Sequence, residues 1–210
     1  MRTITDLKTQ VARSGIIPIV RTHDRSLAYD VTKKLIRAGL SCVEVTLTVP
    51  AASELITDLI KEFGDQALIG AGTVLSVEDA KKCIDAGASF IVSPITDLDI
   101  VGLCQTAGVV VMAGALTPTE IFAAWRAGAD FVKIFPVSAV GGASYVKAVR
   151  SVFPEIDIVP TGGVLIADAE SFLAAGAAAV GIGSELTNSS LVADSDSSEL
   201  REIARRFVKG

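Results

Sequence analysis

Short apolar stretches alternate along the chain with longer segments in which apolar residues recur every three to four positions. The short stretches are typical of buried parallel strands, and the longer segments are typical of helices that cover a sheet. Eight strands are predicted: Ile16–Arg21, Cys42–Thr46, Ala67–Ala71, Phe90–Ser93, Val109–Ala113, Phe131–Phe135, Asp157–Thr161 and Ala179–Gly183. Helices are predicted between and around them: Thr5–Ser14, Ser26–Ala38, Ala51–Phe63, Ser76–Ala86, Asp97–Ala107, Thr119–Ala127, Ala143–Phe153, Ala167–Ala175 and Ser198–Lys209.

An Ala-Gly dipeptide recurs where a predicted helix gives way to the next strand. Its glycines are Gly39, Gly87, Gly108, Gly128 and Gly176. Glycine after a helix adopts the left-handed conformation that ends the helix. The repeated unit of helix, glycine stop and strand predicts a parallel sheet with right-handed crossovers.

Eight predicted strands that alternate with helices favour an α/β protein with one (β/α)₈ barrel and an extra N-terminal helix, for which 210 residues are near the lower size limit. A doubly wound sheet is the alternative, but the glycine-rich fingerprint after the first strand is missing. No linker or shift in composition divides the chain, so residues 1–210 are expected to form a single domain. The serine- and aspartate-rich stretch Asn188–Ser198 is predicted to be an exposed loop.

Composition narrows the function. A net charge of −5 disfavours nonspecific binding to nucleic acid, which needs a basic face. No apolar run approaches the roughly 20 residues of a membrane span, and the N-terminal residues lack a secretion signal. Three scattered cysteines fit a reduced cytoplasmic chain, and a single histidine makes a metal site improbable. We therefore expect a cytoplasmic protein without a metal cofactor.

Lys133 stands inside the apolar stretch Phe131–Pro136. Burying an unpaired charge in such a strand costs several kcal/mol. A buried amine favours its neutral form, which is a nucleophile toward carbonyl groups. The alternative is a lysine near the strand end that reaches solvent or pairs with a carboxylate.

Strand periodicity brings a carboxylate into the same interior. Glu44 and Lys133 both alternate with aliphatic residues that would meet the helices, so both side chains are expected to point into the barrel. The pair predicts a Schiff-base lysine with Glu44 as its general acid and base, and the alternative is a plain buried ion pair. Arg21 ends the first strand, where it would either bind a substrate carboxylate or lie in solvent.

Two glycine-containing loops follow the last two strands. Gly162 and Gly163 come after the seventh strand, and Gly183 and Ser184 come after the eighth. Glycines leave backbone N–H groups free to face an anion, and the loops after strands seven and eight are the recurrent phosphate site of barrels. A Gly-Gly pair alone occurs in many turns, but two such loops at these positions predict phosphate binding.

Five segments together resemble the 2-keto-3-deoxy-6-phosphogluconate (KDPG) and 4-hydroxy-2-oxoglutarate (KHG) aldolase family. They are Val43–Thr46, Ile69–Val74, Phe90–Pro94, Phe131–Pro136 and Pro160–Val164. They occur in the order and spacing of the family between Gly15 and Leu186. The resemblance implies a metal-free class I aldolase on a (β/α)₈ barrel, a homotrimer that acts on a phosphorylated 2-keto acid in the Entner–Doudoroff pathway.

The resemblance also implies a role for individual residues. Lys133 is the Schiff-base lysine and Glu44 is the general acid and base. Thr73 and Pro94 are implied to line the pocket, and Phe135 is implied to contact the substrate and to pack near the lysine. Those implied to lie around the distal hydroxyl groups and the phosphate are Thr161, Gly162, Gly163 and Ser184.

Two positions bear on the substrate. Many members carry an arginine shortly after the glutamate, where this chain has Thr48. Some relatives place an arginine at the end of the first strand instead, and Arg21 resembles those. Galactonate-specific relatives tend to carry an apolar residue where this chain has Thr161, so its hydroxyl group favours the gluconate epimer.

We therefore expect reversible cleavage of KDPG to pyruvate and glyceraldehyde 3-phosphate, through a covalent imine on Lys133. The nearest alternative is the same chemistry on 4-hydroxy-2-oxoglutarate or on the galactonate epimer of KDPG. An alternative of another class is a barrel that binds a phosphorylated metabolite without catalysis.

Overall fold

The computed structural model describes residues 3–187, 190–193 and 197–208. Its strands are β1 (Ile16–Val20), β2 (Cys42–Thr46), β3 (Leu68–Gly72), β4 (Phe90–Val92), β5 (Val110–Ala115), β6 (Phe131–Ile134), β7 (Ile158–Pro160) and β8 (Val180–Ile182). Its helices are α1 (Ile4–Ser14), α2 (Arg25–Arg37), α3 (Ala52–Phe63), α4 (Val77–Asp85), α5 (Leu98–Ala107), α6 (Pro118–Arg126), α7 (Ala143–Val152), α8 (Ala169–Ala174), α9 (Ser184–Thr187) and α10 (Ser198–Phe207). Short 3₁₀ turns occupy Gly64–Gln66, Val137–Val140, Ile166–Asp168 and Ser190–Val192.

The strands lie side by side in the order β7-β6-β5-β4-β3-β2-β1-β8, and each neighbouring pair is parallel. The two outermost strands also meet each other. Thr161 forms a parallel bridge with Gly181, and the Ala178 N–H donates to the Ile158 carbonyl at 2.9 Å. The sheet is a nearly closed barrel, which confirms the predicted fold class.

The predicted helix stops are confirmed. All five glycines of the Ala-Gly repeat have positive φ, between 68° and 103°. The predicted elements shift by no more than two residues at each end that the structure describes. The repeat therefore located both the helices and the crossovers.

The prediction of an exposed loop at Asn188–Ser198 is wrong at Leu191 and Val192, whereas Ala193 and Ser198 are exposed as predicted. Leu191 and Val192 lie in a 3₁₀ turn and are buried. The Lys34 Nζ donates to the Val192 carbonyl at 2.7 Å, which fastens the turn to α2. Two adjacent apolar residues dock on the core despite their polar surroundings. Residues 188, 189 and 194–196 lie outside the described part of the chain.

The interior of the barrel is apolar at one end. Inward-facing residues near the strand starts form one cluster with Leu7 and Val11 of α1, so α1 covers this end. The cluster members from the strands include Ile17, Cys42, Leu68, Phe90, Val110, Phe131 and Val159. Because this end is filled and covered, a pocket in the interior opens at the carboxyl ends of the strands.

The three cysteines are free and buried, and they predict a loss of stability in alkali. Burial raises the pKa of Cys42 and Cys104 from 9.0 to about 12, and that of Cys83 to about 11. The folded protein therefore holds these protons more tightly than the unfolded chain. This contribution is complete below pH 9.0 and is lost as the pH rises toward the folded values, by at most about 1.4 kcal/mol per pH unit for each thiol.

Urea titrations between pH 8 and pH 11 check this expectation. This range begins below the ordinary thiol pKa of 9.0 and ends near the raised pKa of Cys83. We expect the free energy of unfolding to fall across this range in the native chain and to fall less in Cys104→Ala. The matched alanine variant controls for lysines and tyrosines that titrate in the same range. Parallel slopes for the two proteins would argue against the assigned cause.

Candidate active site

Lys133 lies inside the barrel near the carboxyl end of β6. Its strand neighbours Val132 and Ile134 pack outward in the main core, whereas Phe131 belongs to the interior cluster. The alternation turns Lys133 inward, as predicted, and leaves the residue only 5% exposed. The alternative in which this lysine reaches solvent is therefore wrong.

Glu44 faces Lys133 from β2. The glutamate is 3% exposed, and its Oε1 lies 4.0 Å from the Lys133 Nζ. This distance exceeds that of a direct hydrogen bond. The same oxygen has no hydrogen-bond partner among the residues that the structure describes. A buried acceptor without a hydrogen-bond partner is costly, so this oxygen has a capacity to accept a hydrogen bond that the described protein atoms leave unused.

Gly72 on β3 makes the space that Glu44 occupies. A methyl group at Gly72 would lie 1.8 Å from the Glu44 Oε1 and 2.3 Å from its carboxyl carbon. Gly114 plays a comparable part on β5, because a methyl group there would lie 2.1 Å from the Pro94 carbonyl carbon. The steric role of Gly72 was missed in the sequence, although glycine in a buried strand is itself a signal of close approach.

Replacement of Gly72 by alanine is expected to displace the Glu44 carboxylate. If Glu44 has the acid–base role that the family resemblance implies, kcat should fall about 100-fold, the lower limit for loss of general acid and base catalysis, while pyruvate should still form an imine. Gly102→Ala is the matched control, because a methyl group at that position of α5 has open space. Steady-state kinetics of both variants checks the expectation. A Gly72→Ala enzyme with native kcat would show that Glu44 needs no fixed position.

A cavity of about 290 Å³ opens at the carboxyl ends of β1, β7 and β8. It gathers seven of the predicted site residues: Arg21, Phe135, Thr161, Gly162, Gly163, Gly183 and Ser184. Gly162 and Gly163 adopt φ values of 89° and 73°, in the left-handed region that favours glycine. Neither N–H has an acceptor within the described part of the chain.

Arg21 is the one charged side chain that lines this cavity, as far as the structure describes it. Its Nη2 donates to the Thr73 Oγ1 at 3.4 Å, so the guanidinium reaches toward β3. Thr73 has a φ of 61°, which is unusual for a β-branched residue and marks local backbone strain. Thr48 instead bonds to the Thr46 hydroxyl at 2.7 Å and is not among the lining residues.

The Phe135 ring lies close to the Lys133 amine and lines two cavities. The Lys133 Nζ lies 5.3 Å from the centroid of its ring. Phe135 lines the 290 Å³ cavity and also a neighbouring cavity of about 470 Å³. Pro94 lines the second cavity only, so the structure brings it to Phe135 but not to the glycine loops.

The described residues contain neither a cluster of metal ligands nor a membrane-spanning helix. No group of three or more His, Cys, Asp or Glu side chains there is arranged to hold a metal ion. In the same residues, no helix has both the length and the apolar character needed to cross a membrane.

The barrel and its interior lysine–glutamate pair fit a lysine-dependent aldolase, in which an amine attacks a ketone beside a proton acceptor. Comparison with known proteins agrees with this class. The family described as KDPG and KHG aldolase matches residues 7–203. The chain therefore belongs to the KDPG and KHG aldolase family, and it is a lyase.

Individual relatives support the assignment. The 2-dehydro-3-deoxy-6-phosphogalactonate aldolase of Escherichia coli K12 is 37% identical over 81% of this chain and 83% of its own. The 2-dehydro-3-deoxy-phosphogluconate aldolase of Treponema pallidum is 32% identical over 94% of this chain and 93% of its own. A solved KDPG aldolase from Legionella pneumophila, with pyruvate captured as a covalent carbinolamine, is 27% identical with a TM-score of 0.84 over 99% of both chains.

Proposed function

We propose that the protein reversibly cleaves KDPG into pyruvate and glyceraldehyde 3-phosphate through an imine on Lys133. The observation that carries this proposal is the buried Glu44 Oε1, which lies 4.0 Å from the Lys133 Nζ and has no hydrogen-bond partner among the described residues. A simple structural ion pair would close the gap and satisfy the carboxylate. The family membership favours an aldolase over a barrel that only binds a metabolite.

The neutral Lys133 amine attacks the C2 carbonyl of the substrate and forms a carbinolamine. Glu44 in its acid form protonates the carbinolamine hydroxyl group, which leaves as water and gives a protonated imine. The imine draws electrons from the C3–C4 bond as that bond breaks. Glu44 accepts the proton of the C4 hydroxyl group, so C4 leaves as the aldehyde of glyceraldehyde 3-phosphate. The remaining enamine takes up a proton at C3, and hydrolysis releases pyruvate and restores the amine. No metal is needed, because the protonated imine is the electron acceptor.

The ends of the substrate are held by different parts of the cavity. Arg21 binds the substrate carboxylate, and its contact with Thr73, the residue after β3, supports this role because it holds the guanidinium in place. Gly162, Gly163 and the loop of Gly183 and Ser184 bind the phosphate through backbone N–H groups. Phe135 and Pro94 complete the apolar wall near the lysine.

Thr161 carries the proposed preference for the gluconate epimer. The residue is 6% exposed and lines the cavity, so its hydroxyl group is available to a substrate hydroxyl group. The galactonate epimer is a second candidate substrate, because the relative at 37% identity is named for that compound. The two sugars differ at a hydroxyl-bearing carbon, so a single side chain can decide between them.

A panel of three substrates tests the proposal: KDPG, its galactonate epimer and 4-hydroxy-2-oxoglutarate. We expect kcat/KM to be highest for KDPG, about 10-fold or more above the epimer, and Thr161→Val to reduce this difference. A higher value for the epimer would replace KDPG by the second candidate. A higher value for the unphosphorylated compound would remove the phosphate role from the glycine loops.

Further features follow from the family resemblance. We infer a homotrimer, a single catalytic domain spanning residues 1–210, and a cytoplasmic enzyme of the Entner–Doudoroff pathway that uses no cofactor. The three free, buried cysteines support a reducing compartment, because none is paired.

A further inference from the structure

The two glycine loops are joined at both of their ends. We call residues 161–165 the β7 loop and residues 183–185 the β8 loop. At the base, Thr161 bridges Gly181 as the strands end. At the far end, the Glu185 carboxylate accepts a hydrogen bond of 2.5 Å from the Ile166 N–H, directly after the β7 loop. The proposed phosphate-binding backbone lies between these two connections.

Glu185 is an unexpected residue beside an anion site. Its negative charge opposes a bound phosphate, and no Lys or Arg pairs with it among residues 3–187, 190–193 and 197–208. A carboxylate forms stronger hydrogen bonds to backbone N–H groups than a neutral acceptor does. The contact with Ile166 is therefore the physical role that the structure gives this side chain.

Each loop also has contacts of its own. In the turn of α9, the N–H groups of Leu186 and Thr187 both donate to the Gly183 carbonyl, at 3.1 and 3.2 Å. The β7 loop is anchored independently by Val164, which belongs to the buried core. What the Glu185–Ile166 bond adds is a fixed spacing between the two loops.

We propose that Glu185 is a positioning residue that holds the β7 and β8 loops at the spacing of one phosphate group. This inference rests on the proposed phosphate role of the loops. Glu185 does not touch the phosphate. It sets the distance between the backbone donors of Gly162 and Gly163 on one side and those of Gly183 and Ser184 on the other.

Glu185→Ala removes the connection and tests the proposal. With the better phosphorylated substrate we expect KM to rise about 10- to 100-fold, the cost of misplaced binding groups, and inhibition by inorganic phosphate to weaken in parallel. Imine formation with pyruvate, which carries no phosphate, should be unchanged. Glu185→Gln keeps an acceptor oxygen and should restore most of the affinity. Glu170→Ala is the control, because that exposed glutamate pairs with Arg206 and does not reach the loops.

Ile166→Pro tests the same bond from its other side. It deletes the donor N–H at the first position of a helical turn, where proline is tolerated, and Leu165 already has the extended conformation that precedes proline. It should raise KM as Glu185→Ala does, and the double variant should be no worse than either single one. A native KM in both single variants, or loss of the pyruvate imine together with phosphate affinity, would overturn the inference.

The wild-type protein separates this inference from the proposed function. If inorganic phosphate does not inhibit it and phosphorylated substrates have no advantage, the proposed phosphate site is wrong. If the wild type shows both effects and Glu185→Ala retains them, the site stands and only the positioning role fails.

Discussion

Lys133→Ala is expected to abolish aldol cleavage, with kcat lower by about 10⁵-fold or more, as for the loss of other covalent nucleophiles. The amine is buried at 5% exposure beside Glu44 and Phe135, and no lysine is among the described residues that line the two cavities next to Phe135. No other group there can form the imine, so the substrate has no electron acceptor when the C3–C4 bond must break. Steady-state release of pyruvate measures the loss.

Two further variants show whether the amine itself is required. Lys133→Arg keeps a positive charge but cannot lose it, so it should be as inactive as the alanine variant. Lys82→Ala, which removes an exposed lysine paired with Glu78, should keep native kcat. Thermal melts establish that each variant is folded. A folded Lys133→Ala enzyme that turned over at a substantial fraction of the native rate would exclude the proposed imine.

Glu44→Gln is expected to separate substrate binding from turnover. The amide has nearly the shape of the carboxylate and fits the space beside Gly72, but it cannot accept the C4 hydroxyl proton. We therefore expect kcat to fall by about 10²- to 10⁴-fold, while pyruvate still forms an imine with Lys133. Rapid-quench measurement of imine formation and steady-state turnover of the same enzyme give the two values.

Glu170→Gln is the control for the loss of one carboxylate, because Glu170 lies exposed on α8. Combination of Glu44→Gln with Gly72→Ala should add little to the loss, because both changes remove the same proton acceptor. Full activity in Glu44→Gln would take this residue out of the mechanism and leave the ion-pair interpretation.

The repeating features of this structure, the alternation along its strands and the glycine stops of its helices, were predictable from the sequence. Strand alternation of period two placed Glu44 and Lys133 in one interior, because successive strand residues face opposite sides of the sheet. The Ala-Gly stops located the crossovers, since glycine tolerates the conformation that ends a helix. These regularities are local in the chain, and they fix the barrel and its two central site residues.

Contacts between distant segments were not predictable in this way. The clash that makes Gly72 necessary arises only when β3 lies beside β2. The Glu185–Ile166 bond joins loops that neighbouring strands bring together, and Leu191 is buried because its turn lies against α2, α9 and α10. Thr73 shows the same limit, because its left-handed backbone is imposed by surroundings that its residue type would not choose.

Reductive trapping tests the central claim most directly. The protein is incubated with pyruvate and borohydride, digested and analysed by mass spectrometry, with samples lacking pyruvate and samples of Lys133→Ala treated alongside. The account predicts a carboxyethyl adduct on the peptide that contains Lys133, and no adduct in either control. An adduct on another lysine, or an unmodified Lys133 in protein that is otherwise active, would contradict it.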